Sequence, residues 1–235
     1  MAPSLRPIAA EVVRRARLER DERVLDLGTG TGSAAATALG QGRRVTGIDA
    51  APGMLEIARR EVSGATFHEM DFGALDLEDA THDVAIAVHS LLFATDQAAV
   101  LREWLRVTRR GGRLSLSVPG PTDVTPTAIY AEIYRRYGID TSGRYPTAGA
   151  LAAHVADAGW ENVETAVDGS TAIILADVDA FRTWREMGAR GAQTAELTPV
   201  EHGALTEEML AVTPRDVGGR LRIPFGTIYL TAVKG

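Results

Sequence analysis

Residues 24–35 read Val24-Leu25-Asp26-Leu27-Gly28-Thr29-Gly30-Thr31-Gly32-Ser33-Ala34-Ala35. An apolar strand candidate runs into a turn with glycine at every second position, and an Ala-rich helix candidate (33–41) follows. Glycines so spaced let the backbone approach a ligand closely and adopt positive φ. The amides of such a turn, at a helix N-terminus, favour a polar or anionic group. A dinucleotide fingerprint, G-x-G-x-x-G/A, wants glycine or alanine at its sixth position. Counted from Gly28 that position is Ser33.

Outward from this segment the chain alternates strand and helix candidates. Strands are expected at 44–48, 65–70, 83–88 and 113–118, and helices at 52–62 and 96–109. In the last helix Val100, Leu101, Trp104 and Leu105 share a face; Arg106, Arg109 and Arg110 suit its C-terminal dipole and Gly111 ends it. Strands that are apolar nearly throughout imply a parallel sheet covered on both faces. With right-handed crossovers this gives a Rossmann-like, doubly wound α/β fold. Beyond Val118 the rhythm changes. Helices are expected over 122–143, 147–158, 177–190 and 199–211, with extended chain at 161–176 and 220–233. Residues 1–235 are read as one domain, with 120–146 and 177–219 as helical insertions. Each is too short for its own core, so they are expected to act as lids over the sheet.

The 235 residues include 25 basic and 31 acidic side chains, a formal charge of −6, and no cysteine. Disulfides, thiolate metal sites and a cysteine nucleophile are thereby excluded, and no metal is expected. Only Lys234 is a lysine, so Schiff-base chemistry has one candidate. The acidic balance argues against nucleic acid, which needs a basic face. No apolar run reaches membrane-spanning length. The opening residues MAPSLRPIAAEVVRR lack a secretory apolar stretch. A cytoplasmic monomer or homodimer, away from membranes, is the expectation.

Further candidates fall where the strands end. Gly47-Ile48-Asp49-Ala50 closes the second strand, and an acid there can accept both hydroxyls of a ribose. The third strand ends at Asp71-Phe72 and the fourth at His89. Ligands of open α/β sheets bind beyond the carboxyl ends of the strands, so these residues are expected to converge.

Together, VLDLGTGTGSAA (24–35), VTGIDAAPGMLEIAR (45–59), MDFGALDL (70–77), HDVAIAVHSLLFATD (82–96) and LREWLRVTRRGGRLSLSV (101–118) resemble the class I S-adenosylmethionine-dependent methyltransferases. The likeness is to the small-molecule, ubiquinone/menaquinone-methyltransferase-like branch and covers roughly residues 20–120. It implies a seven-stranded, mostly parallel sheet and S-adenosyl-L-methionine as cofactor. Asp26 and the backbone of Gly28, Thr29, Gly30 and Gly32 would then cradle the methionine part. Asp49 would hold the ribose, Ala50 and Met54 would flank the adenine, and Asp71 and the Phe72 amide would meet its edge. The main chain at His89 would meet the ammonium. Met54 also reads as core packing.

In-line methyl transfer needs a placed nucleophile, and a base only where that nucleophile holds a proton. Of the histidines, His89 is the candidate base, and it also reads as a residue that shapes the pocket. His82 is expected at the surface, His68 in the core and His154 in a structural role, while His202 could serve the acceptor from a lid. Tyr130, Tyr134 and Tyr137, with Phe181, Trp184 and Met187, are candidate walls for a small, flat or apolar methyl acceptor. Simple packing between lid and core explains the same stripes. A nicotinamide-dependent oxidoreductase is disfavoured by the glycine spacing. A nucleic-acid methyltransferase is disfavoured because Ala87-Val88-His89-Ser90-Leu91 lacks an Asn/Asp-Pro-Pro-aromatic motif. A cofactor-binding regulatory module without turnover stays open.

Overall fold

The computed structural model describes residues 5–40, 42–120, 128–139, 147–170, 172–186, 194–224 and 226–235. The elements in chain order are α1 (Arg6–Arg15), β1 (Arg23–Leu27), α2 (Ser33–Ala38), β2 (Arg44–Asp49), α3 (Pro52–Glu61), β3 (Thr66–Glu69), β4 (His82–Val88), α4 (Gln97–Val107), β5 (Thr108–Pro119), α5 (Ala128–Arg136), α6 (Ala148–Asp157), β6 (Trp160–Asp168), β7 (Ala172–Leu175), α7 (Val178–Glu186), α8 (Pro199–Val212), β8 (Leu221–Pro224) and β9 (Thr227–Lys234). They fall into two compact units, Met1–Pro119 with Thr147–Val167 and Ile228–Gly235, and Gly120–Pro146 with Asp168–Thr227.

The first unit is built on a seven-stranded sheet of order β3-β2-β1-β4-β5-β9-β6. β1 pairs in parallel with β2 and β4, β2 with β3, and β4 with β5. The doubly wound reading therefore holds. Chain order reverses between β1 and β4, and there the crevice of such a sheet opens. Val24, Leu25 and Leu27 of β1 and Val84–Ala87 of β4 are wholly buried, as strands covered on both faces must be. Trp104 and Trp160 seal the core and place their indole N–H groups on the Phe72 carbonyl at 2.9 Å and the Leu101 carbonyl at 3.1 Å. A buried Trp needs such a partner.

The helix expected to run to Arg109 stops earlier. Asp96 caps α4 by accepting from the Ala99 amide at 2.9 Å, but the helix ends at Val107. The Thr108 hydroxyl bonds back to the Trp104 carbonyl at 2.7 Å, and β5 begins at that residue. Arg109 and Arg110 are strand residues; Arg109 pairs with Asp83 rather than with a helix dipole. Gly111, with φ +68°, sits inside β5 where its pairing with β4 shifts register, and terminates no helix. The end of α4 is capped instead by Lys234, which donates to the Leu105 and Thr108 carbonyls, each at 2.8 Å.

The second unit has its own core of Tyr130, Ile133, Tyr134, Ile139, Phe181, Leu205, Met209, Leu221 and Ile223. Its two-stranded antiparallel sheet pairs Ile173 with Ile223. Neither expected insertion holds a core alone; the two share one and take β7 and β8 with them. α8 opens with a capping box in which Thr198 and Glu201 satisfy each other's amides. Residues 121–127 and 140–146, which take in both ends of the helix expected over 122–143, lie outside the described residues. Among the described residues, no helix is long and apolar enough to cross a membrane.

Candidate functional site

The residues predicted to hold the cofactor lie at and just beyond the carboxyl ends of β3, β2, β1 and β4, all within the first unit. The Gly28–Gly32 turn follows β1, and all three of its glycines have positive φ, at +71°, +55° and +83°. A Cβ on Gly28 would lie 2.4 Å from that of Ser90, and one on Gly32 would lie 2.9 Å from a Val62 methyl. Gly30 is different: a Cβ there would meet nothing within 4 Å. The outer two glycines are demanded by packing, whereas the middle one faces open space of the kind a ligand can fill.

The turn is wired to its neighbours through two carboxylates. Asp26 is buried, and its Oδ2 accepts from the Thr29 hydroxyl at 2.6 Å and from the Ala35 amide at 3.0 Å. Burial pushes its pKa up to about 6, against the lowering effect of those two donors. Asp49 accepts through Oδ2 from the Gly30 amide at 2.8 Å and through Oδ1 from the Ala51 amide at 2.9 Å. A carboxylate has about four acceptor positions, so both Asp49 oxygens keep capacity for hydroxyl donors.

These bonds change the reading of the turn as an anion cradle. The Thr29 amide goes to the Ile48 carbonyl at 2.8 Å, the Gly30 amide to Asp49, and the Gly32 amide to the Thr29 carbonyl at 2.9 Å. Asp26 already stands against the start of α2. Three of the turn's amides are thus committed internally, and a carboxylate offsets the helix dipole. The turn suits a neutral or zwitterionic ligand that presents hydroxyls to Asp49.

The other predicted residues line the same edge. Asp71 is exposed just after β3, and its Oδ1 accepts from the Gly73 amide at 2.7 Å. Phe72 is held by its carbonyl on Trp104 and by an edge-on ring contact of 6.1 Å with that indole. Met54, in the first turn of α3, is 46% exposed; Leu55 and Ala58 face the core instead, so packing does not explain it. Ala50 is exposed beside Asp49. His89 follows β4 with φ +54°, and its amide is bonded to the Ser117 carbonyl at 3.0 Å. Burial lowers its imidazole pKa to about 4. It is neutral near pH 7 but a weak base, and general bases work best with a pKa near the operating pH.

Ser90 was not a sequence candidate. Its hydroxyl donates to the Leu27 carbonyl at 2.6 Å across the β1/β4 crevice, and its Cβ is what Gly28 must avoid. A serine after a strand gives no signal of this; only its pairing with a distant glycine does.

In the second unit, Tyr130 and Tyr134 are core residues, the former with its hydroxyl 2.8 Å from that of Thr213. The Tyr137 hydroxyl donates to Glu208 at 2.6 Å. Trp184 packs on Phe181 at 5.6 Å, and His202 lies against Arg185. Met187 lies outside the described residues. Two other histidines depart from expectation: His82 is buried at the start of β4, while His68 is exposed. Among the described residues, no cluster of three or more His, Cys, Asp or Glu side chains could hold a metal ion.

Comparison with known proteins places this edge in context. Residues 25–116 match the family model described as a methyltransferase domain. Over 96 residues the chain is 36% identical to malonyl-[acyl-carrier protein] O-methyltransferase of Serratia marcescens, covering 41% of this chain and 38% of that one. Over 109 residues it is 36% identical to demethylmenaquinone methyltransferase of Chlorobaculum parvum, covering 46% and 45%. The match thus spans less than half the length of either relative. The crystal structure of the YcgJ protein from Bacillus subtilis superposes with a TM-score of 0.65 at 16% identity, covering 97% of this chain and 98% of that one. It shares the fold.

Proposed function

We propose, from the premise that residues 25–116 form a methyltransferase domain, that this chain transfers a methyl group from S-adenosyl-L-methionine to a small molecule. The observation that carries the proposal is Asp49 bonded to the amide of Gly30, beside the open space over that glycine. A ribose diol fits the remaining acceptor capacity of Asp49. Met54 and Ala50 offer apolar surface to a purine, and Asp71 an acceptor for an exocyclic amine. The internally bonded turn favours the zwitterionic methionine end over a pyrophosphate, which speaks against a nicotinamide dinucleotide.

The cofactor's sulfonium supplies the electrophilic methyl group, and the protein's task is placement. Holding donor and acceptor in line is worth ~7–11 kcal/mol of the barrier. Asp26 and Asp49 fix the turn from two sides, so little reorganisation is needed when the ligand arrives. We assign His89 a positioning role through its left-handed backbone; a pKa of about 4 suits proton abstraction poorly. The relatives' names attach to unlike acceptors, which supports the transfer and leaves the acceptor class to experiment.

The test is incubation of the purified chain with methyl-labelled S-adenosyl-L-methionine and a small-molecule library. Acceptor-dependent release of S-adenosylhomocysteine with label in a product supports the reading. Binding of the cofactor with no turnover on any acceptor would favour the regulatory-module alternative.

A further inference from the structure

We infer that the second unit carries an anion-binding site centred on Arg185 and suited to a small organic carboxylate. Arg185 stands at the end of α7 with its side chain 0% exposed. Its Nη2 lies 2.8 Å from Nδ1 and 3.0 Å from Nε2 of His202, so an unprotonated ring nitrogen accepts one N–H. Nε and Nη1 are buried and meet no acceptor among the described residues. Of the five N–H bonds of a guanidinium, the one on Nε and the two on Nη1 go unanswered.

Among the described residues, the carboxylate within 4 Å is that of Glu186. Its Oε1 is 3.7 Å from Nη2, beyond hydrogen-bond reach, and the side chain is 53% exposed. It moderates the charge without satisfying the donors. An arginine buried in this way is costly, because water has been removed and only one long ion pair, to the half-exposed Glu186, stands in its place. Chance placement of a long, flexible side chain would let it reach solvent instead, as arginines elsewhere on this surface do. α7 spends that cost beside its own aromatic residues, Phe181 and Trp184, which pack at 5.6 Å.

A single guanidinium charge with its Nη2 against the His202 ring matches a monoanion. A carboxylate presents two acceptor oxygens to the unanswered N–H bonds and leaves its apolar remainder to the aromatic residues. A phosphate dianion would call for a second cation, and among the described residues no second buried basic side chain is bonded to Arg185 or His202. Since the guanidinium is fully covered, entry requires local opening, and association is slower than diffusion.

The inference goes beyond methyl transfer and does not depend on it. The test uses the intact chain without cofactor, in a carboxylate-free buffer, with acetate, benzoate and citrate as probes. Calorimetry and thermal melting are expected to show saturable binding of at least one probe. Arg185→Gln should weaken that binding at least tenfold. Glu186→Gln, at an exposed position, should tighten it about threefold by removing a competing negative charge. Absence of saturable binding in the parent chain overturns the site, as does unchanged affinity in a folded Arg185→Gln variant. If that variant does not fold, Glu186→Gln decides: unchanged or weaker binding overturns the proposal. Adding S-adenosyl-L-methionine then separates two sources of the anion. A probe that gains a methyl group is an acceptor, and one that binds unaltered is an effector; either supports the site. Failure of S-adenosylhomocysteine to bind while benzoate still does would count against methyl transfer alone.

Discussion

The carboxylate of Asp49 lies 2.8 Å from the amide of Gly30, joining the end of β2 to the glycine turn that follows β1. One side chain thereby fixes the loop and offers its remaining lone pairs outward. Asp49→Ala removes both roles. Two hydrogen bonds from ligand hydroxyls to a carboxylate, at ~1.5–3 kcal/mol each, predict a loss of S-adenosylhomocysteine affinity of ~100-fold or more. Asp49→Asn keeps one oxygen acceptor and should lose about tenfold. Calorimetric titration of the three proteins, with melting curves to monitor the fold, checks the order.

The glycines of the turn should separate stability from binding. At Gly28 an added methyl group collides with Ser90 at 2.4 Å and sits at φ +71°, so Gly28→Ala should cost about 3 kcal/mol or more of stability. At Gly30 the methyl group points into open space and only the left-handed backbone is penalised, by ~1 kcal/mol. Gly30→Ala should therefore fold nearly normally yet bind the cofactor at least tenfold more weakly. Denaturant unfolding beside ligand titration tests the contrast.

Asp26 and His89 pull stability in opposite directions over almost the same pH range. Burial raises the Asp26 pKa from 3.8 to about 6, so the native state holds its proton more tightly than the unfolded chain. Its contribution is fully present below about pH 4 and is lost as pH rises through 6. Burial lowers the His89 pKa from 6.5 to about 4, so its contribution is present above pH 6.5 and is lost as pH falls through 4. At ~1.4 kcal/mol per pKa unit each effect is about 3 kcal/mol, and they largely cancel in the parent chain. Asp26→Asn should make stability climb steeply from pH 4 to 6.5; His89→Asn should make it fall. Because Asn tolerates the left-handed backbone, His89→Asn should also retain turnover within a few-fold. A loss above 100-fold would restore His89 as a base.

Lys234, the chain's one lysine, ties β9 to the end of α4 through the Leu105 and Thr108 carbonyls. Partial exposure limits the gain, and Lys234→Met should cost about 1–2 kcal/mol. Urea unfolding of that variant measures it. Reductive methylation keeps the charge and should cost less.

What could be read from the chain alone follows the range of the interactions involved. The order of elements up to Val118 is local information: apolar runs, glycine turns and caps such as Asp96 each act within a few residues. The edge residues Asp49, Asp71 and His89 were legible because a parallel sheet brings every strand end to one side. The end of α4 was not, because Arg109 answers to Asp83, 26 residues away. The shared core of the second unit was hidden for the same reason; nothing near Ile173 announces its pairing with Ile223. The left-handed backbone of His89 has no sequence signal, since histidine there replaces the glycine or asparagine that would have announced it. Arg185 is one arginine among many, and only its burial and unanswered N–H groups set it apart.

Calorimetric titration of the intact chain with S-adenosylhomocysteine, run beside NAD and repeated with Asp49→Ala, tests the proposed cofactor site most directly. Saturable binding near one ligand per chain, no heat with NAD, and a loss of ~100-fold or more on substitution are the predicted results. Binding of NAD in place of S-adenosylhomocysteine, or an Asp49→Ala variant that binds as tightly as the parent, would contradict it.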